Sequence, residues 1–101
     1  MVTWSDHAKA DLRHIHDFIA ADSRHYAKYV MQAIINKSLL LSESPRIGKI
    51  VPEINDKDIR ELQLYSYRIL YEIRGNQIHV LAIAHKRRDF QPGELSEEIV
   101  R

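Results

Sequence analysis

Between Tyr67 and His85 two runs rich in Ile, Leu, Val and Tyr are separated only by Gly75-Asn76. A two-residue Gly-Asn link between such runs demands a β-hairpin, because glycine supplies the positive φ that a tight turn between twisted strands requires. Pairing Arg74 with Gln77 and counting outward fixes the register expected for the whole hairpin. Ile73 then faces Ile78, Tyr71 faces Val80, Ile69 faces Ala82 and Tyr67 faces Ala84 on one side of the sheet. On the other side Glu72 faces His79, Leu70 faces Leu81 and Arg68 faces Ile83, since side chains alternate along a strand.

The two faces differ in chemistry. The first is apolar throughout and calls for helices to cover it. The second mixes Leu70, Leu81 and Ile83 with Arg68, Glu72, Arg74, His79 and His85. Such a face is either a partner surface or groove, or it lies under a short helix or tail of the same chain.

Upstream, Val2 and Trp4 suggest a short first strand, and Ser5 followed by Asp6 is a good helix start. Ala8, Leu12, Ile15 and Ile19 recur at helical spacing. Asp22-Ser23 starts a second helix, whose stripe is read as Tyr26, Val30, Ala33, Ile34, Leu40 and Leu41 and which stops near Ser44, ahead of Pro45. Pro45 to Asp58 reads as loop, Arg60 to Leu64 as a strand, and Tyr65-Ser66 as the turn into the hairpin. Pro92-Gly93 breaks the chain, and residues 94–101 read as one or two helical turns or a frayed tail. The expected order is β-α-α-β-β-β: an α+β fold in one domain spanning residues 1–101, with an antiparallel sheet carrying a two-helix hairpin on one face.

The absence of cysteine excludes disulfides and thiolate metal sites and fits a reducing cytosol, so a cytoplasmic location is expected. The first residues, MVTWSDHAKADLR, lack the pattern of a secretory leader, and no apolar stretch approaches the about 20 residues that span a bilayer. Six histidines raise the question of a metal. However, His14 and His16 diverge by about 200° around a helix, and no HExxH spacing exists; no metal and no cofactor are expected. His79 opposite Glu72 is either a tuned proton-transfer pair or an ordinary cross-strand pair.

A net charge of +1 does not by itself point to nucleic acid. Its distribution says more: Arg60, Arg68, Arg74, Lys86, Arg87 and Arg88 stand against Glu61, Glu72 and Asp89 in the strand region, whereas the final eight residues are acidic. Arg68, in mid-strand among aliphatics, must pair, snorkel or bind an anion. The candidate binding surface is therefore Arg60, Arg68, Leu70, Glu72, His79, Leu81, Ile83, His85, Lys86, Arg87 and Arg88.

The segments VTWSDHAKADL, SPRIGKIVPE, RELQLYSYRILYEI, IHVLAIAH and KRRD together make a sequence that resembles the RelE/ParE superfamily of bacterial toxins from type II toxin–antitoxin modules. The specific part is R-E-L…Y-R-I-x-Y followed by I-x-V-L-x-I-x-H-x-R-R. The resemblance implies the fold just described, a cognate acidic antitoxin with a partly disordered tail, a toxin–antitoxin hetero-oligomer and a role in plasmid stabilisation. RelE-like members cut mRNA in the ribosomal A site with a strand arginine and acid–base groups near the C-terminus. ParE-like members poison DNA gyrase and are not known as nucleases. Arg68 stands where the strand arginine stands and Glu53 where some members have a glutamate. The terminal His-Tyr is replaced by His85, Lys86 and Arg87, with Phe90 the nearby aromatic. That departure favours the ParE-like reading, in which the protein catalyses nothing. The alternatives are an mRNA endonuclease using Glu53, Arg68, His85 and Arg87, and an inactive member that serves only as a binding module.

Overall fold

The computed structural model describes residues 1–91, 93–95 and 97–99. Strand β1 (Val2–Trp4) leads into helices α1 (Asp6–Ala20) and α2 (Arg24–Leu39), the latter tightening into a single 3₁₀ turn at Leu40–Ser42. Strands β2 (Lys49–Ile50), β3 (Ile59–Leu64), β4 (Tyr67–Arg74) and β5 (Gln77–His85) follow. They form one sheet in the order β1-β5-β4-β3-β2. The α+β order is the expected one, with two additions: β2 extends the far edge, and β1 joins β5 in parallel, so the sheet is mixed. No helix among the described residues is long and apolar enough to cross a membrane.

Both helix starts follow from their serines. The Ser5 hydroxyl accepts from the Ala8 amide at 2.9 Å and the Ser23 hydroxyl from the Tyr26 amide at 3.0 Å. The buried stripe of α2 is Ala27, Val30, Ile34 and Ser38, continued by Leu41. It is rotated from the expected one, leaving Tyr26 and Leu40 exposed. Small residues at 27 and 38 sit against the protein interior while the bulkier neighbours turn outward.

The hairpin β4–β5 spans the predicted residues, and from Arg74↔Gln77 to Tyr71↔Val80 it keeps the predicted register. Beyond that point Leu81 is an extra residue: Leu70 pairs with Ala82, Ile69 with Ile83, Arg68 with Ala84 and Tyr67 with His85. This bulge turns over the side chains of every β5 residue that follows it. Ile83, expected on the face opposite the helices, instead packs beneath them with Ala8, Val30, Ile34, Ile69 and Val80. His85 moves with it, and Ala82 and Ala84 pass to the other side with Leu70 and Leu81. Helix α1 satisfies the disturbed backbone: the Ser5 hydroxyl donates to the Leu81 carbonyl at 2.8 Å, and Asp11 Oδ2 accepts from the Ile83 amide at 2.9 Å.

The face away from the helices is covered by the protein's own loop and tail. Leu70, Leu81, Ala82 and Ala84 are buried under Val51 and Ile54 of the loop and under Phe90, Leu95 and Ile99 of the C-terminal segment. Each large apolar side chain so buried contributes about 1.5–3 kcal/mol. Residues 93–95 and 97–98 form turns, with no helix among the described residues of this segment; expectations for Pro92, Ser96, Val100 and Arg101 fall outside the described residues.

On the helical side, Tyr71 is wholly buried beside Leu41 and Ile78. Its hydroxyl donates to the Pro45 carbonyl at 2.6 Å and accepts from the Gly48 amide at 3.0 Å. Burial raises its pKa above the usual phenol value. A Cβ on Gly48 would fall 2.5 Å from the Glu61 carbonyl oxygen and 2.6 Å from the Tyr71 hydroxyl. Gly48→Ala should therefore destabilise the protein by about 1–3 kcal/mol. An unchanged melting temperature would mean that the clamp between Tyr71 and the loop can give way at little cost.

Candidate functional site

Arg68 lies on β4, on the sheet face away from the helices, and is 4% exposed. A guanidinium carries five N–H donors in a fixed fork, and here four make hydrogen bonds, with all three nitrogens partnered. Nε donates to Glu61 Oε2 at 2.7 Å; Nη1 donates to Glu53 Oε2 at 2.8 Å and to the Arg88 carbonyl at 2.6 Å. Nη2 donates to Glu53 Oε1 at 2.8 Å and also lies against Glu61 Oε2. The Phe90 amide donates to Glu53 Oε2 at 3.1 Å, and the Phe90 ring centroid is 5.6 Å from the Arg68 guanidinium carbon.

The cluster forms because three segments converge on one strand position. Glu61 comes from β3 beside β4, Glu53 from the loop after β2, and the Arg88 and Phe90 backbone from the segment after β5. Lys49, 3.5 Å from Glu61 Oε1, offsets the second carboxylate. The Arg68 guanidinium holds the Glu53 carboxyl down at about 2, from the usual 4.5, helped by the Phe90 amide and opposed by desolvation. Glu53 in turn raises the pKa of Arg68.

The other candidate residues fall into separate places. Leu70 and Leu81 are fully buried, and Ile83 lies under the helices, so none of the three is presented to a partner in this conformation. Glu72, also buried, lies opposite His79 across the strands as expected, and is 2.8 Å from Arg74 Nε. His79 shares a 2.7 Å hydrogen bond with Thr3, and burial together with nearby Arg74 lowers its pKa. Arg60 donates to the Lys57 and Gly48 carbonyls and stiffens the loop. His85 sits edge-on to Tyr67 at 6.5 Å, on the helical side of the sheet, opposite the side that carries Arg68. Lys86 and Arg87 are exposed, and Arg88, which is paired with Glu94, stacks 4.5 Å from the Phe90 ring.

Of the four residues an endonuclease reading would use, Glu53 and Arg68 are therefore brought together as partners of one another. His85 projects from the opposite flank. Glu53 is signalled in the sequence only through the family resemblance. Glu61, the second carboxylate on Arg68, was missed, although its proximity becomes legible once β3 is aligned with β4. A concavity of about 590 Å³ lined by Pro45, Arg46, Ile47, Ile73 and Gly75 contains none of the candidate residues.

Two consequences can be measured. Arg68→Ala leaves Glu53 without its counter-charge and Glu61 with Lys49 alone, and should destabilise the protein by about 3–5 kcal/mol, read by urea denaturation at pH 7; a loss below about 1 kcal/mol, the scale of an exposed ion pair, would show that the cluster is dispensable. The folded-state pKa of Glu53 is depressed, so its contribution is fully present above pH 4.5 and drains as the pH falls toward about 2. Glu53→Gln should accordingly lower stability at pH 7 and flatten its dependence on pH across that window.

The family model described as the ParE toxin of type II toxin–antitoxin systems, parDE, matches residues 2–90. No curated protein sequence matches this one. Among solved structures, a protein of the chromosomal ParDE system from P. aeruginosa superposes with a TM-score of 0.69 at 23% identity, over 83% of this chain and 92% of that one. A protein of the RelBE2 toxin–antitoxin complex from Mycobacterium tuberculosis gives 0.63 at 20% identity, over 84% and 95%. A mutant of the E. coli toxin RelE in the free state gives 0.69 at 18% identity, over 99% and 97%. At these identities the structural likenesses speak for the fold, and the family follows from the sequence model: this protein belongs to the ParE toxins of type II toxin–antitoxin systems.

Proposed function

We propose that this toxin acts on DNA gyrase through protein–protein contact and catalyses no reaction of its own. The observation that carries this reading is that all three guanidinium nitrogens of Arg68 are held by the protein's own acceptors. A strand arginine that stabilises charge on a scissile phosphate needs N–H donors aimed at the space the phosphate will occupy. Here the donors are spent on Glu53, Glu61 and the Arg88 carbonyl. A phosphate approaching this arginine would also meet the charge of two carboxylates. The titratable imidazole of the set, His85, stands on the other flank, and general acid–base catalysis requires its group within hydrogen-bond reach of the reacting atom. The ParE family match favours the same branch.

Neutralisation falls to a cognate antitoxin, in keeping with the toxin–antitoxin systems to which two of the structural neighbours belong. An acidic, partly disordered antitoxin segment that folds on binding would find its electrostatic complement in the cationic turn Lys86-Arg87-Arg88.

Addition of the purified protein to a gyrase reaction should suppress supercoiling and accumulate cleaved DNA. In a translation extract, primer extension across a reporter message should show full-length product. Cuts at codon boundaries in that message, with supercoiling unaffected, would overturn the reading and return Arg68 to a catalytic role.

A further inference from the structure

Away from Arg68, on the helical flank of the sheet, tyrosines from two separate elements meet at the end where β4 begins and β5 ends. Tyr26 and Tyr29, one turn apart on α2, lie with ring centroids 6.3 Å apart and planes within 12°. Tyr65, in the two-residue turn between β3 and β4, lies beside Tyr29, whose phenol raises its pKa above the usual value. All three are about half exposed, at 52%, 59% and 49%. The patch continues through Tyr67 and His85, which meet edge to face. The Lys86 amide donates to the Ser66 carbonyl at 2.7 Å, so Lys86 and Arg87 sit beside the same turn. Both side chains are exposed, and neither makes an ion pair among the described residues.

The backbone at Tyr65 is the second observation. Its φ is 55°, in the left-handed region. A two-residue hairpin turn favours Gly, Asn or Asp there, and a bulky residue is strained. The Gly75-Asn76 turn of the same sheet meets the same demand with glycine, at φ 62°. Folding would be served better by glycine at position 65, and what tyrosine adds is a phenol ring on an exposed surface. Strain retained at an exposed position points to a use outside the fold. Tyrosine with arginine is the composition of protein-binding hot spots, since a rigid amphipathic ring loses little entropy on docking.

We propose that Tyr26, Tyr29 and Tyr65, with His85, Lys86 and Arg87 on their rim, form the surface by which the toxin docks on its target protein, against a patch of acidic character. The identity of that target as gyrase rests on the reading above; the surface itself does not. The exposed cations at its edge set the charge of the partner, and the same cations would be covered by an acidic antitoxin, so that neutralisation and target docking compete.

Tyr65→Gly separates docking from folding, because glycine relieves the turn. Its melting temperature should be no lower than that of the unsubstituted protein, while growth arrest on induced expression is lost and the concentration for half-inhibition of gyrase rises about tenfold or more. Tyr29→Ser and the charge reversal Arg87→Glu should act in the same direction, and inhibition by the unsubstituted protein should weaken with added salt. Full growth arrest by folded, soluble Tyr65→Gly and Tyr29→Ser would overturn the proposal. So would binding of a labelled single-stranded oligonucleotide that these substitutions abolish in parallel with toxicity, since the surface would then serve nucleic acid. Should the unsubstituted protein arrest growth without touching gyrase, the gyrase reading alone falls, and the variants still judge the surface by growth.

Discussion

The ion cluster at Arg68 ties together segments that lie far apart in sequence. A mid-strand arginine on a covered sheet face is tolerable only when its charge and all its donors are met, because an unpaired buried charge costs several kcal/mol. Glu61 answers from the neighbouring strand, and Glu53 with the Arg88 carbonyl answers from two irregular segments. Those segments also carry Val51, Ile54, Phe90 and Leu95, the residues that close the second core. The polar cluster fixes where the cover sits, and the apolar cover excludes the water that would loosen the cluster. Glu53, accepting from both the Arg68 side chain and the Phe90 backbone, is the joint between the two.

Much of this was legible in the sequence. The Gly75-Asn76 turn and the runs beside it define both hairpin strands to the residue, and the serines at 5 and 23 define both helix starts. What was not legible was the bulge. The run Val80-Leu81-Ala82-Ile83-Ala84 is apolar at every position because β5 is buried on both faces. Register is encoded by alternation, and a strand without alternation accommodates an extra residue without breaking any pattern. The alanines conceal the slip further, being small enough to suit either side. Ser5 and Asp11, which satisfy the bulge, read in the sequence only as helix-start and helix-surface residues.

The shift in register has a chemical consequence. Counting without the bulge puts Ile83 and His85 beside Arg68 and assembles a plausible acid–base site on one open face. With it, the same residues divide between two flanks, one sealed by the protein's own loop and tail and the other clothed by helices. A single inserted residue thus separates the arginine from the imidazole. Whether Arg68 binds or holds could not be decided from residue types, since an arginine on a strand serves either purpose; the carboxylates that decide it are distant in sequence, and one of them arrives by way of an irregular segment.

Once both faces of the sheet are occupied, the places left for recognition are the ends of the strands. There, turns and termini answer to no core packing, and side chains can be selected for what they contact. The two turns of the meander make the contrast concrete. At Gly75 the residue suits the backbone and no atom lies within 4 Å of where a Cβ would stand. At Tyr65 the backbone adopts a similar φ but bears a large, half-exposed aromatic ring beside a helix tyrosine and near exposed cations. The turn at 75–76 is explained by the hairpin it closes. The turn at 65–66 is not, because glycine or asparagine would close it at lower cost. The docking surface proposed above gives the ring at that position a use, and the exposed cations beside it suit an acidic partner.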